Sequence, residues 1–124
     1  MMRGLLVMPL ARWAFWACLL AVVALSLTPV QHLPQQVFSL WDKAQHAGGF
    51  AVLTLLGLWA YPHRVTAVLV AMLALGVGIE LAQAATGWRY GDVLDWLADS
   101  VGVAAAYVLW WLLQAACGRS QRQR

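Results

Sequence analysis

Trp88-Arg89-Tyr90-Gly91-Asp92-Val93-Leu94-Asp95-Trp96-Leu97-Ala98-Asp99-Ser100-Val101-Gly102 holds three of the five acidic residues of an otherwise largely apolar chain. Asp92, Asp95 and Asp99 recur at helical spacing, so a helix through them sets all three on one face. Gly102 and Ala106 continue the stripe with small side chains. An apolar helix that opens with charge and goes on with small residues turns that face to protein, not to lipid. The stretch therefore reads as the head of a membrane helix packed in a bundle.

Composition agrees with this. Apolar residues make up 63% of the 124, charged residues only 10%, and mean hydropathy is +0.71, outside the soluble range. The length suits one unit, 1–124, with no second domain. A net charge of +3 could suggest nucleic acid, but the cations sit at the ends and in turns, as membrane anchors do. No nucleic-acid partner is expected. Cys18 and Cys117 belong to no CxxC or metal motif and read as small apolar fillers.

The apolar runs predict an all-α bundle of four transmembrane helices, at about 10–28, 44–61, 65–85 and 93–116, with a basic tail at 118–124. A cleaved signal is the alternative for the first run. An uncleaved helix is preferred, because Pro9 to Thr28 approaches the length needed to span. Pro62-His63-Arg64 closes the second run abruptly and makes a tight helix hairpin. Arg3, Arg12, Arg64, Arg119, Arg122 and Arg124 all fall on the N-terminal arm, that hairpin turn and the tail, which carry no acid. By the positive-inside rule both termini are cytoplasmic. All five acids, with His32 and His46, then fall in the outward half, and Trp and Tyr residues cluster near both boundaries.

Three helices repeat one design. Asp42, His46 and Gly49 share a stripe on the second; Gly76, Glu80 and Gln83 do so on the third; the aspartates with Gly102 and Ala106 do so on the fourth. Small residues permit close approach, so the stripes should meet along one seam that opens outward. His46, Glu80, Gln83, Asp95 and Asp99 would line the resulting pocket, with Lys43 and Arg89 near its mouth. At 1.5 Å per residue Glu80 lies about 7 Å and Asp99 about 10 Å inside its helix end. Acids at such depth need a partner, a proton or water, and are functional candidates. Plainer roles exist for several of them. Asp92 and Asp42 fit helix caps, Lys43 a snorkelling anchor, and Arg89 an ordinary salt bridge. The whole set could be a structural hydrogen-bond network.

Asp42-Lys43-xx-His46 opening a helix, Glu80-xx-Gln83 closing the next, then Arg89 before Asp95-xx-Ala98-Asp99-xx-Gly102 resembles the VanZ-like family over roughly Thr28 to Ala106. That family comprises small multi-helix membrane proteins named for one that raises resistance to the glycopeptide teicoplanin. The resemblance implies a bacterial cell-envelope protein, multi-pass in the inner (cytoplasmic) membrane. It also implies that Asp42, Lys43, His46, Glu80, Gln83, Arg89 and Asp95 occupy the family's polar positions. Position 99, often Asn in the family, is Asp here. The resemblance supplies a setting without a reaction.

The leading expectation is a pocket that binds, and could act on, an envelope lipid, glycolipid or cell-wall precursor. His46, Glu80 and Asp95 are the candidate catalytic groups, since an imidazole titrates near neutrality and a carboxylate can orient or relay. Asp42, Lys43, Gln83, Arg89 and Asp99 are the candidate ligand-binding groups, the cations for a phosphate or carboxylate. The alternatives are an assembly or regulatory protein and a small proton- or ion-coupled transporter. The apolar run Ala67 to Val77 offers a transporter no inward relay. No serine-hydrolase, zinc-protease or P-loop motif is present. A histidine among carboxylates could hold a divalent ion, but one pocket His with Asp and Glu is a weak metal signal, and no metal or cofactor is assigned. So few helices make a shallow pocket, which leaves room for a homo-oligomer.

Overall fold

The computed structural model describes residues 2–29 and 40–122, with side chains for 8–29 and 43–118. Four helices follow one another: α1 (Met2–Leu27), α2 (Leu40–Ala60), α3 (Val65–Thr86) and α4 (Val93–Arg122). No strand occurs among the described residues. α1 starts before the expected residue 10, with Pro9 inside it, and α4 runs past 116 into the basic tail. Hydropathy reports where a helix is oily; it is blind to a helix that continues into a polar flank.

Met8–Leu27, Val65–Thr86 and Val93–Gly118 are long and apolar enough to cross a membrane. Their outward faces stay apolar: Val70, Leu73, Val77 and Leu81 form one exposed stripe on α3, at the spacing of a single helix face. α2 has 21 residues, enough length for a span, but its first turns carry Asp42, Lys43, Gln45 and His46. Among the described residues it lacks a stretch as apolar as those of the other three.

Successive helices run antiparallel. The ends of α1 and α3 and the starts of α2 and α4 gather at one end, tied by Gln83 to Ser26, Trp88 to Leu27 and Lys43 to Asp95. At the opposite end Arg12 Nε donates to the Ala60 carbonyl, and the Trp16 indole donates to the Tyr61 hydroxyl. Phe50, Leu53, Leu58, Val68, Met72, Ile79 and Val103 form the core between them. Lipid is as apolar as this core, so close packing and polar bonds, not burial from water, hold such helices together.

α2 against α4 is the most extensive pairing in the bundle. Gly102 makes it possible: a Cβ there would run into the backbone carbonyl of Ala47. Gly76 likewise receives the Trp96 ring and the Asp99 carboxylate against its Cα. Gly49, grouped with them by spacing, has open space around it and marks no close approach. α1 and α3 meet more loosely and leave an apolar groove of about 300 Å³ between them, lined by Phe15, Leu19, Val68 and Met72 among others.

Candidate functional site

The ionic end is built by three helices and a turn. Thr86 shapes the turn: its hydroxyl donates to the Gln83 carbonyl and accepts the backbone N–H groups of Trp88 and Arg89. Gly87 follows at φ 77°, the left-handed conformation that ends a helix and that glycine adopts without strain. The chain then returns through Asp92, which caps α4 by accepting the Leu94 N–H at 2.9 Å. Glu80, one helix back, accepts the Asp92 N–H at 2.6 Å. The start of α4 is thus clamped by a carboxylate from α3.

α2 answers with two cationic or protonatable groups. Lys43 Nζ lies 2.8 Å from Asp95 Oδ1 and 3.3 Å from Asp92 Oδ2. One turn deeper, His46 Nδ1 lies 3.0 Å from Asp99 Oδ1, and its Nε2 is 3.9 Å from Asp95 Oδ2. A proton on Nδ1 would be donated to the Asp99 carboxylate. Asp95 and Asp99 are buried, at 8% and 2% exposure, while Lys43 remains partly open at the rim. Asp92 stands outside the apolar spans. The Leu94 amide first, and then Lys43, hold its carboxyl below the usual carboxylate range.

The set is not closed upon itself. Glu80 Oε1 and Asp99 Oδ2 are buried without a hydrogen-bond partner among the described residues, and so are Gln83 Oε1 and Arg89 Nη1. Native structures pair nearly all such atoms, so each one needs an explanation. His46, Glu80 and Asp99 each also bring one donor atom to within 4.8 Å of the others.

The structure therefore gathers Lys43, His46, Glu80, Asp95 and Asp99 into one cluster, with Asp92 at its edge. Gln83 stands apart in function: it is buried, and its Nε2 donates to the Ser26 carbonyl at the end of α1. Arg89 lies in the turn that enters α4, its side chain partly buried. The Asp42 side chain and His32 lie outside the described residues. Two residues outside the expected site set prove important to it. Trp96 donates its indole N–H to the Leu73 carbonyl and presses on Gly76. Thr86, ahead of a glycine at a helix end, builds the turn, and that pairing was the available signal.

Helices of membrane-crossing length, packed through small residues and joined by an ionic seam at one end, define a polytopic membrane protein with a polar site in its helix bundle. The sequence model of the VanZ/LLP1 family matches residues 2–114, and the chain belongs to that family. No curated protein and no solved structure gives a significant match.

Proposed function

We propose that the ionic end binds the anionic head group of an envelope lipid or glycolipid at the outer face of a bacterial cytoplasmic membrane. In this reading all four helices cross. α2 keeps its polar face against α4, and the arginines of the N-terminal arm, the 62–64 turn and the C-terminal tail stay in the cytoplasm. Lys43 at the rim and Arg89 in the adjoining turn hold the phosphate or carboxylate, as ammonium and guanidinium groups do. His46, bonded to Asp99 and facing Asp95, is placed to move a proton to or from the bound group.

One observation carries the reading. Buried oxygens of Glu80 and Asp99 stay unpartnered in a cluster that is otherwise densely bonded, and Arg89 Nη1 in the adjoining turn is buried and unpartnered as well. A network evolved only to fix helix packing would satisfy its own atoms, because a half-satisfied one costs more than an apolar core. The family adds the envelope setting and the link to teicoplanin.

Teicoplanin susceptibility of a sensitive bacterial host tests this at matched membrane abundance. Wild type should protect, His46→Ala and Arg89→Ala should not, and Arg64→Ala at the other end should protect as wild type does. Equal protection by all four would reduce the cluster to packing. Failure of wild type to protect would remove glycopeptide susceptibility from the reading.

A further inference from the structure

We infer that His46, Glu80 and Asp99 form a binding site for a first-row divalent transition-metal ion. Three helical residues from three different helices converge here: His46 from α2, Glu80 from α3 and Asp99 from α4. Their candidate donor atoms all lie within 4.8 Å of one another. Ligands at about 2.0–2.2 Å from an ion sit at most about 4.4 Å apart across it, so small side-chain rotations close the site.

Burial supplies the independent observation. Asp99 is 2% exposed, and its Oδ2 has no hydrogen-bond partner among the described residues, although Oδ1 already meets His46. Glu80 repeats the pattern, with Oε2 on the Asp92 N–H and Oε1 buried and unpartnered. Each acid therefore keeps one buried oxygen uncommitted, that of Asp99 on the side of Gly76. An ion needs such an oxygen; a self-contained hydrogen-bond network has no use for it.

Charge points the same way. Among the described residues Asp95, Asp99 and Glu80, with half-exposed Asp92 at their edge, gather around Lys43 and His46. Buried carboxylates in excess of their cations are costly in a low-dielectric setting and call for a proton or a positive ion. A nitrogen and two carboxylate oxygens suit zinc or manganese better than the all-oxygen shells preferred by calcium and magnesium. Three protein ligands also leave a coordination position open for an outside oxygen, the arrangement of reactive metal sites.

The inference does not rest on lipid binding. It uses one imidazole nitrogen of His46 as a ligand and leaves the other for hydrogen bonding or proton transfer. Manganese alone separates the two. The purified protein in detergent, stripped with chelator, is titrated with Mn²⁺ and followed by electron paramagnetic resonance. One Mn²⁺ should bind per chain, and electron spin-echo modulation should show coupling to one imidazole nitrogen. Asp99→Asn and His46→Gln, checked for helicity and monodispersity, should each weaken binding by about tenfold or more, whereas Arg12→Met at the opposite end of the bundle should retain it. Nitrogen coupling in wild type tests the site even if a variant fails to fold. Absent binding, absent nitrogen coupling, or equal affinity in folded Asp99→Asn overturns the inference and leaves the lipid reading intact.

Discussion

The two ends of the bundle fasten helices by different means. At the apolar end, Arg12 reaches the Ala60 carbonyl and lies over the Tyr61 ring at 5.2 Å, while Phe15 meets Tyr61 and Trp16 edge-on. Each of those contacts is a modest, self-sufficient bond. At the ionic end four carboxylates crowd Lys43 and His46, and charged groups are among the buried atoms left unpartnered, whereas away from that end the described residues leave only the neutral Thr54 hydroxyl and Trp110 indole so. If holding helices together were the only need, the first solution would serve at both ends. The second costs stability, and proteins keep such costs where a site needs them.

The difference can be broken most forcefully at the α2–α4 crossing that supports the ionic end. Gly102→Val would drive a side chain into the Ala47 backbone carbonyl, and backbone cannot step aside. The substitution should cost about 3 kcal/mol, or abolish accumulation in the membrane, as read by thermal unfolding in detergent. Gly49→Ala, in open space on the facing helix, should be neutral or stabilise by about 0.5–1 kcal/mol. Equal losses at both positions would refute the crossing.

That pair also shows what a sequence can and cannot reveal. The ionic face was legible because charge at three- and four-residue spacing in an oily chain has few readings, and Lys43, His46, Glu80, Asp95 and Asp99 do converge. Which small residue lets the helices touch was not legible, since spacing gives the face but the register between two helices chooses the contact. Gln83 shared the stripe of Glu80, yet it turns to the Ser26 carbonyl of α1, and a backbone acceptor leaves no mark in the sequence. The polar start of α2 was visible, but its weight against the apolar remainder decides spanning character, and that balance is close.

A neutral replacement at the heart of the ionic end sharpens the comparison. Asp99→Asn keeps the shape and a hydrogen-bonding oxygen while removing one buried charge. Unfolding should be unchanged or raised by up to about 2 kcal/mol, even as protection from teicoplanin falls. A clear loss of stability would mean that the charge holds the bundle together, and that the two ends differ in chemistry but not in purpose. The mirror experiment is Arg12→Met, which loses one hydrogen bond and one ring contact. It should cost about 0.5–1 kcal/mol and leave protection untouched.

The smallest effect belongs to Asp92, at the boundary of the ionic end. Its carboxyl is held below the ordinary range by the Leu94 amide and then by Lys43. A group depressed by folding adds stability above its unfolded value, about 3.9 for an aspartate, and loses it as pH falls through the folded value. Wild type should therefore unfold at a higher temperature than Asp92→Asn at pH 6, and the gap should close as pH falls from about 4 downward. Because Asp92 is half exposed, added salt should narrow the part of that gap due to Lys43 and spare the part due to the Leu94 amide. No gap at pH 6 would place the benefit of Asp92 in its shape as a cap, where Asn serves nearly as well, and would take Asp92 out of the charge balance of the ionic end.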